Sequence, residues 1–313
     1  MNYSILRYIL GYVLKIEAAF MLLPCVTSLI YHEEEGRYFF VVACICMLIG
    51  VLMTLHKPKS TTFYLKEGCL ATSLSWILLS LFGAIPFWIS GEIPHWEDAL
   101  FETISGFTTT GATVLGNVEA LSHTALIWRS FTHWIGGMGV LVFLLAILPL
   151  SGGSSINLMR AESPGPSVGK LVPKVRYTAM ILYTIYFGMT VIEFIFLLAG
   201  HMPLFDALTT AFGTAGTGGF GIKNDSIMGY SPYIQWVVAI FMILFGINFN
   251  FYFYLLYRHF KKAVSMEEIH YYLAMILIAI TIIFLNVRTM YPTGFEAMTH
   301  SVFQVASLAT STG

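Results

Sequence analysis

Charge is what this sequence has least of. Only 11% of its 313 residues are Asp, Glu, Lys or Arg, against about 25% in an ordinary soluble domain. The net charge of −1 leaves no basic surface for nucleic acid and no polybasic strip for a membrane surface. Cysteine is scarce as well. Cys25, Cys44, Cys46 and Cys69 all lie in apolar runs without metal-site spacing to further Cys or His residues, so they read as small core hydrophobes. There is no His-Glu-x-x-His, because "HEEEG" from His32 lacks its second His. "GTGGFG" (Gly216 to Gly221) lacks the Lys-Ser/Thr ending of a phosphate-binding loop. The first apolar stretch is too long for a signal-peptide core and has no A-x-A-like exit, so it is expected to stay as a span.

What the sequence has instead is apolar length. Hydrophobic residues make up 57% and the mean hydropathy is +0.76. A bilayer core needs roughly 20 apolar residues in a helix, and spans are expected at about 5–31, 38–56, 68–90, 124–150, 177–199, 233–257 and 270–290. The basic residues fall in alternate connections. Lys57, Lys59 and Lys66 lie in the first, Arg160, Lys170, Lys174 and Arg176 in 151–176, and Arg258, Lys261 and Lys262 in "YRHFKK". The other loops hold only Arg37 and Lys223, with Arg288 close to a span end. Basic loops stay in the cytoplasm. The expectation is an all-α polytopic protein of a cytoplasmic (inner) or plasma membrane, with a cytoplasmic N-terminus and the lipid bilayer as its solvent.

The outside connections are unusual because they repeat. "DALFETISGFTTTGA" (Asp98 to Ala112) and "DALTTAFGTAGTGGF" (Asp206 to Phe220) superpose Asp98, Ala99 and Leu100 on Asp206, Ala207 and Leu208 at a shift of 108, and Gly111 on Gly219. "HSVFQVASLATSTG" (His300 to Gly313) is a third copy at a shift of 202, pairing Phe101 with Phe303, Ser105 with Ser307 and Gly111 with Gly313. Each copy follows a span from the outside. The unit is a span, a helix too short to cross, a Thr/Gly-rich loop and another span. Irregular backbone at membrane depth is tolerated only where it is buried in protein or lines a water-filled path. Carbonyls aimed at a central axis can replace a cation's hydration shell, and Gly adopts the torsions that aim them. Three such loops in register read as walls of an ion pore.

These stretches, together with "HWIGGMG" (His133 to Gly139) and "MRAESPGP" and "KLVPKVRYTA" between Met159 and Ala179, resemble the Trk/Ktr/HKT superfamily of cation transporters. Within it the pattern is similar to the membrane subunits of bacterial Trk potassium-uptake systems, which carry an extra pair of spans before the first repeat. The resemblance covers essentially the whole chain. It implies M1–P–M2 repeats around one pore, here with 1–66 as a two-helix N-terminal domain, 67–150 as the first repeat, 151–262 as the second with its leading linker, and 263–313 as a third repeat cut at the filter. It implies one filter glycine per repeat, at Gly111, Gly219 and Gly313. A glycine at the first position is similar to the potassium-selective members. The filter is then expected at Thr109, Thr110 and Gly111, at Thr217, Gly218 and Gly219 (with Gly216), and at Thr310, Ser311, Thr312 and Gly313. The ion is K⁺, no cofactor is expected, and passage through the filter is passive. A sodium-permeable member, or one coupling K⁺ to Na⁺ or H⁺, fits the same motifs. The resemblance further implies a homodimer and a TrkA-like cytoplasmic ring of nucleotide-binding regulatory subunits, docking on 151–176 and 258–268. Measured against the family, the third inner helix and the fourth repeat have no counterpart in this sequence, so the resemblance implies a fragment of a longer protein.

Other polar residues have plainer readings. Asp98 and Asp206 open short helices and are expected as caps and dipole partners, with Glu102 one turn on. Gly136, Gly137 and Gly139 predict close packing of their span behind the loop. Glu17, Arg129, His133 and Glu193 fall in or at the edge of spans, where ionisable groups are expensive. Arg129 can snorkel from a helix end, and Glu193 reads as paired or interfacial. An intramembrane hydrolase would need Ser105 paired with His133. The chain is therefore read as a transporter, not an enzyme.

Overall fold

Apolar runs in lipid must satisfy their own backbone, and the helix does so within one segment. The computed structural model describes residues 2–58, 65–139 and 175–313, and among them there are helices and no strand. Helices α1 (Tyr3–Phe20) and α2 (Leu22–Tyr31) together span 29 residues, with a junction at Met21. Pro24 explains the junction, since its ring cannot accommodate an unbroken turn back to the Phe20 carbonyl. α3 (Gly36–Thr54) returns against α1, buried along Gly36, Phe39, Val42, Ala43, Cys46 and Gly50. The crossing is close because a Cβ on Gly50 would lie 2.7 Å from the Gly11 carbonyl oxygen. Lys15 closes that end, donating to Thr54 Oγ1 at 2.5 Å.

Three units follow. α4 (Leu65–Ser90), α5 (Trp96–Phe107) and α6 (His123–Met138) pack together. So do α7 (Val175–Ala199), α8 (Leu204–Ala215) and α9 (Pro232–Phe245). α10 (Phe249–Leu256) and α11 (Phe260–Val264) then lead to α12 (Glu267–Val287), which packs on α13 (Gly294–Ala309). The units interlock, because α6 also packs on α8 and α9 on α13. The first two helices buttress this arrangement, α1 against α4 and α2 against α6.

Among the described residues, five helices are long and apolar enough to cross a membrane: Tyr3–Tyr31, Gly36–Thr54, Lys66–Ser90, Tyr177–Ala199 and Glu267–Val287. Their outward faces carry exposed Phe40, Leu48, Phe187, Ile195, Leu277 and Ile278, the surface that lipid covers in a multi-pass membrane protein. The span expected at 233–257 is not one helix. The chain turns by 91° between α9 and α10, where Gly246 closes α9 and the Asn248 side chain caps α10 on the Asn250 amide. Two tyrosines donate to carbonyls at the end of α9, Tyr272 to Ile243 O (3.1 Å) and Tyr252 to Leu244 O (2.6 Å), the latter also accepting from Ile247 N (3.2 Å). Residues 140–150 of the span expected at 124–150, and most of the basic 151–176 segment and the Met159 to Ala179 motif, lie outside the described residues. The cysteine expectation also changes: Cys46 is buried, Cys25 half-buried, and Cys44 and Cys69 exposed.

Candidate functional site

Each short helix ends in the same kind of turn. After α5, Thr109 (φ 54°) and Gly111 (φ 74°) are left-handed; after α8, Thr217 (φ 52°) and Gly219 (φ 70°); after α13, Ser311 (φ 55°) and Gly313 (φ 88°). Thr110, Gly218 and Thr312, between them, are not. Residues of alternating hand bring successive peptide groups to one side of the chain. The hydrogen bonds repeat in the same register. Thr110 N donates to Ser105 O (2.9 Å), Gly218 N to Gly213 O (3.1 Å) and Thr312 N to Ser307 O (2.9 Å). At shifts of 108 and 202 the three turns therefore share this hydrogen bond and the alternation of hand.

The three turns meet. A Cβ on Gly111 would strike the Gly218 carbonyl oxygen and lie 3.7 Å from that of Thr312. One on Gly219 would strike the Thr312 carbonyl and lie 3.2 Å from that of Gly313. Carbonyls from separate units thus crowd against glycines whose φ only glycine adopts without strain. Among the described residues no three His, Cys, Asp or Glu side chains gather as a metal site. The oxygens offered here belong to the backbone and to threonine.

Charged side chains hold the turns from behind. Arg129, 3% exposed, donates from Nε to Glu102 Oε1 at 2.5 Å and from Nη1 to the Gly221 carbonyl at 2.7 Å. Its guanidinium lies 3.7 Å from the Phe220 ring centroid. Glu102 also accepts from Thr113 Oγ1 (2.9 Å) and Val114 N (3.2 Å). Arg129 therefore does not snorkel; it ties the end of the first turn to the end of the second. Asp98 and Asp206 lie in the first turns of α5 and α8, but their side chains cap neither helix. Asp206 instead accepts from the Tyr230 hydroxyl at 2.6 Å. Further out, Asn224 locks the two connections together, accepting from Val118 N (2.9 Å) and donating to Asn117 Oδ1 (2.8 Å).

The small residues of α6 pack as expected at two positions. A Cβ on Gly136 would strike the Phe107 carbonyl, and one on Gly137 would lie 2.7 Å from Gly216 Cα. Gly139 has a different role, ending α6 at φ 77° and accepting from the Tyr183 hydroxyl at 2.7 Å. Ser105 and His133 form no nucleophilic pair. Ser105 donates to Ala112 O (2.6 Å), and His133 Nδ1 accepts from Phe220 N (3.3 Å).

The family model described as "TrkH: Cation transport protein" matches residues 36–290. The chain belongs to the TrkH cation-transport family. Two curated relatives are the Trk system potassium uptake protein TrkH of Salmonella typhimurium, 34% identical over all of this chain, and TrkG of Escherichia coli K12, 31% identical over 99% of it. The chain spans about 66% of the length of the first and 65% of the second. The crystal structure of the potassium transporter TrkH from Vibrio parahaemolyticus superposes with a TM-score of 0.84 at 27% identity, covering 98% of this chain and 64% of that one. Family membership places the chain among cation-transport proteins, and the separate partners of Ser105 and His133 leave the hydrolase reading without its pair.

This TrkH-family chain holds a further link that its sequence does not announce. Glu33, in the acidic connection after α2, accepts from His123 N (2.9 Å), Thr124 N (2.9 Å) and Thr124 Oγ1 (2.6 Å) at the start of α6. Burial pushes its carboxyl up, but the donors from Thr124 and His123 outweigh burial and leave it below the usual carboxylate range. Glu92 beside it is moved the other way by burial, against the Ser122 donors. The signal lay in "SHT" (Ser122 to Thr124), a helix start with orphan N–H groups, though nothing local names the acceptor. Glu17 and Glu193 are buried and, among the described residues, their carboxyl oxygens have no hydrogen-bond partner. Glu193 is 0% exposed, and the Thr214 hydroxyl close to it donates to Thr210 O at 2.9 Å.

Proposed function

We propose that this chain belongs to the path by which potassium ions enter a bacterial cell across its cytoplasmic membrane. The observation that carries the reading is the meeting of three turns of the same alternating hand at Gly111, Gly219 and Gly313. The curated relatives named as potassium uptake proteins supply the ion. An arriving K⁺ sheds water and is coordinated by carbonyls of Thr109–Gly111, Gly216–Gly219 and Thr310–Gly313. Desolvation is offset because fixed carbonyl dipoles replace the hydration shell without having to reorganise. The carboxyl-terminal ends of α5, α8 and α13 face the ion with their partial negative charge.

On this reading 1–66 braces the pore, and 67–150, 151–262 and 263–313 each contribute one loop. The N-terminus and the basic connections are cytoplasmic, and the turns open to the outside. The basic surfaces 151–176 and 258–268 receive a TrkA-like regulatory ring, and two copies of the membrane subunit associate. The test uses the complete reading frame in a bacterium lacking its own potassium uptake. Growth at low external potassium and rubidium uptake, both abolished by substitution of Gly219, support the reading. Good membrane expression with sodium flux alone, or no flux, overturns it.

A further inference from the structure

The three turns differ in what stands behind them. In the first, the Thr108 and Thr110 hydroxyls pair at 2.8 Å, and Thr108 also donates to Ile104 O. In the third, Thr310 and Thr312 pair at 2.8 Å, and Thr310 also donates to Ala306 O. At the same register the second turn has Gly216 and Gly218, with no hydroxyl to pair. Their space is occupied by His133. A Cβ on Gly218 would lie 2.6 Å from three atoms of the His133 ring, and one on Gly216 would strike the His133 carbonyl. The ring is 0% exposed, stacks on Phe220 at 4.1 Å, and accepts from the Phe220 amide through Nδ1. An amide N–H can only donate, so Nδ1 carries no proton and Nε2 does. The ring also lies beside the Ser105 backbone, but Nε2 completes no hydrogen bond among the described residues.

We infer that His133 is the positioning residue of the second turn, replacing with one neutral imidazole the threonine pair that shapes the other two. Resting on the filter reading, this makes His133 a determinant of ion selectivity that never touches the ion. The backbone of the first and third turns is fixed from within by its own side chains. That of the second is fixed from outside, by α6 of the preceding unit. Gly218 leaves the imidazole its room: its φ is not left-handed, and the three atoms nearest to a Cβ there all belong to the His133 ring.

The test is a reciprocal exchange in the complete reading frame, read as rubidium over sodium uptake with membrane abundance measured alongside. His133→Phe keeps a ring and removes the acceptor, and selectivity is expected to fall about tenfold. His133→Gln presents an amide oxygen to Phe220 N and is expected to retain most of it. Gly218→Thr alone is expected to be damaging, whereas His133→Ala with Gly218→Thr recovers selectivity lost in His133→Ala, since the threonine restores bulk and one hydroxyl. Equal damage from Gly218→Thr in both backgrounds, or a His133→Phe variant as selective as the parent, overturns the inference. If the parent itself does not prefer rubidium to sodium, the filter reading fails first; a selective, Gly219-dependent parent with additive His133 and Gly218 effects sinks the inference alone.

Discussion

Arg129 and Glu102 meet at 2.5 Å where neither reaches solvent, and the same guanidinium holds the Gly221 carbonyl 92 residues further on. A buried pair is expensive to form, but losing one partner is worse, because the survivor is stranded. Arg129→Ala is expected to destabilise the protein by about 3–5 kcal/mol. Arg129→Met with Glu102→Gln should cost markedly less than the two single changes added together. Thermal unfolding of the four purified proteins in detergent decides this, and strict additivity would refute the coupling.

Glu33 gives a pH dependence with a definite sign. Its carboxyl lies below the usual carboxylate range when folded, so its contribution is fully present above the unfolded-state value. It is lost as pH falls through the lowered folded value. Acidification below about pH 5 should therefore loosen the contact between the α2–α3 connection and the start of α6. Glu33→Gln should be less stable than the parent at neutral pH, with the gap narrowing as pH drops. Unfolding temperatures of both proteins from neutral pH down through the carboxylate range are the check, and a constant gap would refute it.

Gly111 combines a left-handed φ with a carbonyl where a Cβ would go. Gly111→Ser strains the turn by about 1–3 kcal/mol and displaces the Gly218 oxygen. The expected result is preserved membrane expression with eroded preference for rubidium over sodium. A variant as selective as the parent would remove Gly111 from the ion path.

The turn between α9 and α10 is held by two phenols. Removing either hydroxyl, in Tyr252→Phe or Tyr272→Phe, should cost about 0.5–1.5 kcal/mol. Gly246→Ala should cost more, since its Cβ would strike the Tyr272 hydroxyl and lie 3.1 Å from Thr310 Cγ2. Spin-label distances across the turn should broaden in Gly246→Ala; an unchanged distribution would mean the phenols do not fix the angle.

How much of the fold and the site is legible in the sequence depends on the range of the contact. The three turns align from the residues alone, because the second left-handed position of each is a Gly and the hydrogen bonds of the turn are local, so Gly111, Gly219 and Gly313 announce themselves. Arg129 and Glu102 are conspicuous as charges among apolar neighbours, yet their pairing joins two helices and leaves no mark in spacing. The bend at Gly246 is hidden for a different reason. Hydropathy runs unbroken through 233–257, and this outweighs the Gly and the Asn two residues later that end one helix and start the next. Glu33 is hidden by excess, since Glu33, Glu34 and Glu35 are adjacent and only the fold chooses among them.

The packing of α6 on α8 and of α9 on α13 is a head-to-tail contact: each unit offers its last helix and receives on its short one. Contacts of this type have two unlike halves, and copies of one unit joined through them close into a ring or wind on as a spiral. Duplicating such a unit copies both halves at once, so the duplicate docks on its parent without a new surface. Among the described residues α5 receives no such helix. Phe101 and Ile104 on it are exposed, while their counterparts are buried (Thr209, Ala306) or half-buried (Phe303, Phe212). Synthesis from the N-terminus lays down each brace before the turn it supports, so the order of the chain is also the order in which the assembly can set.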